Sequence, residues 1–119
     1  MLMVMLILHD PDKLQDLLDA WEGIGVPGAT ILHSTGLGRT RTNPGMWDDL
    51  PLMPGLRDLY EHEEYFSRTV FTVVPDEAMA DKVIEATSEV TGDLNQPDIG
   101  LLIVLPLLKV VGLVKREYE

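Results

Sequence analysis

Two runs of the 119-residue sequence contain no polar side chain at all. They are "LMVMLIL", residues 2 to 8, and "LLIVLPLL", residues 101 to 108. Successive side chains of a strand point to opposite faces of its sheet, so a strand that is apolar throughout is predicted to be buried on both faces. The fold must therefore cover both sides of the sheet that holds these two strands.

Two amphipathic segments separate the predicted strands. Asp10 and Pro11 are typical of a helix N-terminus, and apolar residues then recur at helical spacing to residue 24. A second helix is predicted from Pro75-Asp76 to Gly92. The apolar stripes consist of Leu14, Leu17, Leu18, Trp21 and Ile24 in the first helix, and of Met79, Val83, Ala86 and Val90 in the second.

Further strands are predicted at about residues 28 to 36 and 65 to 74, with a short fifth one in "KVVGLV", residues 109 to 114. The element order is then strand, helix, strand, strand, helix, strand, strand. This order predicts a single α+β domain over residues 1 to 119. Its fold is ferredoxin-like β-α-β-β-α-β, with a short extra C-terminal strand and a long loop between strands 2 and 3.

The predicted fold has too few helices to cover both faces of its sheet. Two helices cover one face and leave the other bare. About seven large apolar side chains left in water would cost on the order of 10 kcal/mol, at about 1.5 kcal/mol each. Copies of the same chain are the simplest cover, so the sequence predicts an obligate homo-oligomer with its sheets packed inward.

The loop from residue 39 to residue 64 is far longer than an ordinary hairpin connection. It contains Met46, Trp47, Leu50, Leu52 and Met53 among its acidic residues. A segment this apolar does not have the composition of permanent disorder. We interpret it as an interaction element.

Charge and composition exclude several classes of function. A net charge of −11 argues against binding to nucleic acid or to an anionic membrane surface. The absence of cysteine excludes disulfides and thiolate metal sites. The apolar N-terminal run is short and has no basic leader, so we expect a cytoplasmic protein without membrane insertion. No set of catalytic residues can be named, which predicts a protein that is not an enzyme.

The segment "GIGVPGATILHSTGLGR", residues 23 to 39, resembles a signature of the nitrogen regulatory PII proteins. There, Gly-(Ile/Val)-x-Gly-x-Thr leads into Gly-(Phe/Leu)-Gly-Arg. Residues 73 to 92, "VVPDEAMADKVIEATSEVTG", are similar to the second helix of that family. The resemblance covers residues 1 to about 38 and about 70 to 106. It implies a homotrimer that functions in signal transduction, senses a small effector such as an adenine nucleotide in clefts between subunits, and contacts a regulated protein partner through residues 39 to 64.

The resemblance also implies which residues bind the effector. They are Gly36, Leu37, Gly38 and Arg39 at the base of the long loop (the T-loop), and Thr91, Gly92 and Gly100 at the two ends of a second phosphate-binding loop (the B-loop). Backbone N–H groups in glycine-rich turns can hold an anion without a helix N-terminus. The residues alone leave other roles open. The glycines could form the exit from a strand, Arg39 could pair with a loop carboxylate, and Thr91-Gly92 could simply stop a helix.

Several positions depart from the family pattern. Thr40 stands where a metal-chelating Gln follows the Gly-x-Gly-Arg, and Leu101 stands where a Lys reaches the phosphates. Gly112 and Val114 stand where the last loop carries two arginines. Binding a triphosphate needs several cations, so tight binding of ATP with 2-oxoglutarate is not expected.

Two alternatives remain open at this point. The first is a trimeric divalent-metal-binding protein resembling the CutA family, which shares the fold, with His62 and Glu61 or Glu64 as ligands. The second is a small trimeric enzyme with its site at the same cleft.

Overall fold

A computed structural model describes residues 1 to 36 and 67 to 113. Its elements are β1 (Leu2–Leu8), a short 3-10 turn (Pro11–Lys13) that runs into α1 (Leu14–Gly23), β2 (Thr30–Ser34), β3 (Ser67–Val74), α2 (Glu77–Thr91) and β4 (Gly100–Pro106). The fold is α+β, as predicted. The long loop predicted at residues 39 to 64 lies outside the described residues.

The four strands form one antiparallel sheet in the order β2-β3-β1-β4. The strand β1 pairs with β3 from Leu2–Val74 to Leu8–Arg68, and on its other side it pairs with β4 along its whole length. The most uniformly apolar strand is therefore central, with a hydrogen-bonded neighbour on each side. This is the strand order of a ferredoxin-like fold, which confirms the prediction.

Both helices pack on one face of the sheet, where they bury the core. The side chains of Val4, Leu6 and Leu8 point toward the helices and are fully buried. The predicted helical stripes are confirmed: Leu17, Trp21, Val83 and Ala86 are buried, and Leu14, Leu18, Ile24, Met79 and Val90 pack against the core from its margin. In the described part of the chain, no helix is long and apolar enough to span a membrane.

The predicted helix ends are also observed. The carboxylate of Asp10 accepts a hydrogen bond from the backbone N–H of Asp12 at 3.0 Å. The carboxylate of Asp76 accepts one from the N–H of Met79 at 2.9 Å. At the end of α2, Gly92 has a φ of +84° and donates its N–H to the carbonyl of Ser88. Short polar side chains and a glycine thus satisfy backbone groups that a helix leaves unpaired at its ends.

The opposite face of the sheet has no helix over it. We call it the open face, and the strand register assigns its members, because residues directly opposite in a sheet share a face. Its apolar members are Met3, Met5 and Ile7 of β1, Phe71 and Val73 of β3, Leu101, Ile103 and Leu105 of β4, and Leu32 of β2. Leu101 is 53% exposed and Leu32 is 50% exposed. A single chain therefore covers only one side of its sheet, as the missing alternation in β1 and β4 predicted.

The fifth strand expected at residues 109 to 114 does not form in residues 109 to 113. Pro106 has no N–H and ends the ladder of β4. Leu107 still donates its N–H to the carbonyl of Met1 at 3.0 Å, and the chain then leaves the sheet. Leu108 and Val111 project almost wholly into solvent, with relative exposures of 102% and 94%. The segment is apolar enough for a strand, but it pairs with no strand in the part of the chain that the structure describes.

Candidate functional site

The strand register brings the predicted effector-binding segments to one end of the sheet. There β2 ends with Ser34 opposite Ser67, and β1 ends with Leu8 opposite Gly100. Gly36 follows two residues after β2, so Gly36 and Gly100 lie at the same end. Leu37, Gly38 and Arg39 fall outside the described residues. We call this end of the sheet the loop end.

Within one chain, however, β2 and β4 are the two edges of the sheet. The strands β3 and β1 lie between them. Three strand spacings of about 4.8 Å separate the end of β2 from the start of β4 by roughly 14 Å. One phosphate group cannot contact both Gly36 and Gly100 of a single chain at this spacing. The two predicted segments are thus at the same end but not in one pocket.

Gly100 is fixed by a close backbone approach. Its φ is +159°, and a Cβ at this position would lie 2.6 Å from the carbonyl oxygen of Ile7. The obstructing atom belongs to the backbone of the central strand, which cannot move aside without breaking the ladder. Glycine is therefore required here by the packing of β4 on β1.

Thr91 and Gly92 lie at the end of α2, with their polar groups already bonded within the chain. Thr91 is buried, and its hydroxyl lies within hydrogen-bond distance of the Thr87 carbonyl (3.1 Å) and the Gly92 carbonyl (2.9 Å), either of which accepts from it. The ammonium of Lys13 contacts the Thr91 carbonyl at 3.5 Å. These bonds hold the point at which the chain leaves α2 for the loop that precedes β4. Through these hydrogen bonds, Thr91 and Gly92 position that loop.

The loop from Gly92 to Gly100 is acidic. Asp93 folds it locally: its carboxylate accepts from the N–H of Asn95 at 2.9 Å and its carbonyl accepts from the N–H of Gln96 at 3.0 Å. Both Asp93 and Asp98 are exposed. No Lys or Arg occurs between residues 92 and 101. This loop therefore presents negative charge, and no cation of its own, to any ligand at the loop end.

A groove of about 370 Å³ lies at the other end of the sheet, where β2 begins and β3 ends. Its shape follows from the late start of β2: before Thr30 the chain has left the ladder and is tied to β3 by the Thr72 hydroxyl, which donates to the Gly28 carbonyl at 2.7 Å. The residues that line the groove are Pro27, Gly28, Ala29, Thr30, Phe71, Thr72, Val73 and Leu113. None of them carries an ionisable side chain. A volume of this size is within the range of small-molecule sites.

This groove was not predicted from the sequence. Its lining comes from three segments far apart in the chain, residues 27 to 30, residues 71 to 73 and Leu113, and none of them carries a reactive or charged side chain. Only Pro27-Gly28, which delays the start of β2, marks the place in the sequence. Long-range packing of apolar residues leaves no local pattern that predicts a cavity.

A metal centre is not present among the residues that the structure describes. In residues 1 to 36 and 67 to 113, no three His, Asp or Glu side chains are placed to hold one ion. The ligands considered for the metal-binding alternative, Glu61, His62 and Glu64, lie outside these ranges.

Comparison with known proteins gives one family. The family model described as "Nitrogen regulatory protein P-II" matches residues 1–117, nearly the whole chain. A search of curated protein sequences gives no significant match. The match includes the open face, both ends of the sheet and the segment that follows β4.

Proposed function

Because the chain belongs to the nitrogen regulatory protein P-II family, we propose that it is a trimeric signalling protein of the cytoplasm. It binds a small effector in clefts between its subunits and passes the signal to a protein partner through residues 39 to 64. Proteins of this family are regulators rather than enzymes. We extend that property to this chain, in which no catalytic set was found by sequence.

The observation that carries the proposal is the open face of the sheet. Met5 lies at its centre, with Phe71 opposite on β3 and Ile103 opposite on β4. Monomeric soluble proteins rarely expose so continuous an apolar surface. Three copies that turn this face inward would shelter it without any further helix. The packing need of the strands thus supports an oligomer, and membership of the family supports three copies in it.

A cyclic trimer also accounts for the separation of the groove from the loop end. Its interfaces join two different patches of neighbouring copies, because each subunit meets the next head to tail. The groove lies at one end of the sheet and the loop end at the other. We propose that the groove of one copy faces the loop end of the next. The effector cleft would then be complete only in the trimer.

The proposed signal starts at the base of the long loop. In this arrangement the effector contacts Gly36, Leu37, Gly38 and Arg39 on one side and the loop between Thr91-Gly92 and Gly100 on the other. Its contacts must favour one arrangement of residues 39 to 64 over another, since an effector with equal affinity for both arrangements transmits nothing. The partner protein would recognise the favoured arrangement.

A thermal-shift panel tests the effector site. AMP, ADP, ATP, cyclic AMP and divalent metals are added separately to the wild type, to Arg39→Ala and to Lys82→Ala. Lys82 is an exposed cation on α2 and serves as the control for loss of one charge. We expect one nucleotide to raise the Tm of the wild type and of Lys82→Ala, and to have little effect on Arg39→Ala. Stabilisation by metals alone, lost in His62→Ala, would instead favour the metal-binding alternative.

A further inference from the structure

The first 38 residues of the chain contain a single Lys or Arg, and its charge is directed away from its own helix. This residue is Lys13, in the helical turn that runs into α1, where a positive charge opposes the helix dipole. Its ammonium instead contacts the Thr91 carbonyl, at the end of α2, at 3.5 Å. We propose that Lys13 is a positioning residue, which holds the loop between Gly92 and Gly100 in one arrangement before any effector binds.

The end of α2 is a place where a cation from another element is stabilising. The carbonyls of the last helical turn have no partner within the helix, and they form the negative end of its dipole. The last turn of α2 contains no basic residue, and Glu89 adds a negative charge there. The Thr91 carbonyl thus receives from Lys13 a charge-assisted hydrogen bond that α2 does not supply from its own last turn.

The connection between β1 and α1, residues 9 to 13, also holds the far end of the loop. The backbone N–H of His9 donates to the Ile99 carbonyl at 3.4 Å. Between the two ends, Leu94 packs against the core, and its Cδ2 lies 3.6 Å from the place that a Cβ of Gly100 would occupy. The loop is therefore fixed at its start, at one internal side chain and at its end.

The backbone inside the loop also indicates one defined arrangement. Asp93 accepts the N–H of Asn95 on its carboxylate and the N–H of Gln96 on its carbonyl. Asp98 has a φ of +63°, and no other non-glycine residue in the described part of the chain has a positive φ. Such a conformation is uncommon and persists where the surrounding contacts determine it.

A loop fixed in this way forms a rigid side of the effector cleft. This step rests on the proposed function, which places the loop beside the effector. Because the loop is already ordered, an effector that contacts it loses no binding free energy in ordering it. The conformational change that transmits the signal must then arise outside residues 92 to 100, since a side that has the same structure in both states favours neither.

Hydrogen exchange of the wild-type protein without any effector, followed by mass spectrometry, tests the inference. Peptides that cover residues 88 to 99 contain the hydrogen-bonded N–H groups of Gly92, Asn95 and Gln96. We expect these groups to be protected in the wild type. They should exchange about threefold to tenfold faster in Lys13→Met, which keeps an unbranched side chain of similar length but removes the charge and the donor. Peptides from β1 and β3 should exchange as in the wild type.

Two further variants separate the contact of Lys13 from a general effect of charge. Lys13→Arg keeps a cationic donor and should restore the protection of residues 88 to 99. Lys82→Met removes an exposed positive charge from the middle of α2 and should leave that protection unchanged.

Three results would overturn the inference. They are wild-type exchange in Lys13→Met, equal acceleration in Lys82→Met, and acceleration that extends to β1 and β3, which would indicate a general loss of stability. Unprotected N–H groups in the wild-type loop would likewise exclude a loop that is fixed before binding. The measurement uses no effector, so each of these results leaves the regulator proposal to be tested separately by the thermal-shift panel.

Discussion

The α-carbon of Gly100 lies against the carbonyl oxygen of Ile7, so closely that a Cβ on Gly100 would be 2.6 Å from that oxygen. The contact joins the first residue of β4 to the last residue but one of the central strand β1, at the loop end of the sheet. It fixes the point at which the loop after α2 ends and the strand β4 begins. A residue proposed to border the effector cleft is therefore also a requirement of the fold.

Replacement of this glycine should destabilise the protein. Gly100→Ala must displace a backbone atom of β1, and we expect a loss of about 1 to 3 kcal/mol in the free energy of unfolding. Urea unfolding at a fixed protein concentration measures it. Gly23→Ala is the control, because a Cβ at Gly23 meets nothing within 4 Å and alanine suits a helix. Equal stability of the two variants would contradict the close approach.

The hydrogen bond between the two helices gives a second prediction. The indole N–H of Trp21 donates to the hydroxyl of Thr87 at 2.9 Å, and both side chains are buried. Thr87→Val keeps the volume but leaves the buried N–H unpaired, which should cost about 1 to 3 kcal/mol. In Trp21→Phe the donor is also removed, so adding Thr87→Val to that variant should cost clearly less. A full cost in both backgrounds would show that the bond contributes nothing.

A charge placed at the centre of the open face should disrupt the assembly. Met5→Glu puts a carboxylate between Phe71 and Ile103, where burial in the proposed trimer would leave it without a partner. Sedimentation velocity should show smaller species at concentrations at which the wild type is a trimer. Ala78→Glu adds the same charge at an exposed position of α2 and should stay assembled. An intact Met5→Glu trimer would mean that the open face is not the interface.

The segment after β4 allows a separate test of contacts between copies. Leu108 and Val111 are almost fully exposed in the single chain, so they contribute nothing to its own core. We expect a Leu108→Ser, Val111→Ser double variant to dissociate at higher protein concentration than the wild type. Its secondary structure by circular dichroism should not change. Assembly equal to that of the wild type would show that these side chains face solvent in the trimer as well.

The local parts of this fold were predictable because their causes are local. Asp10 and Asp76 each cap a helix through a hydrogen bond to an N–H two or three residues away. The missing alternation in β1 and β4 likewise predicted a sheet that one chain covers on one side only. These features depend on residue type and spacing within a short segment, and the sequence contains both directly.

The parts that were missed depend on contacts across the chain. The groove needs Phe71 and Leu113 to meet the chain before β2, and no motif marks that meeting. The fifth strand was expected from apolar composition, but Leu108 and Val111 pair with none of the four strands among residues 1 to 36 and 67 to 113. An apolar segment that would contact another subunit has the same composition as an apolar strand, so the sequence does not distinguish the two. The effector-binding role of Gly36, Gly92 and Gly100 remains a prediction, and Leu37, Gly38 and Arg39 lie outside the described residues.

Sedimentation equilibrium of the wild-type protein at micromolar concentration measures the central claim most directly. Each chain has a mass of 13.3 kDa. Three chains that bury their open faces against one another should sediment with three times that mass and show no stable folded monomer on dilution. A single folded species of one chain's mass would contradict the account, because its sheet would then keep an apolar face in water and no cleft between subunits would exist.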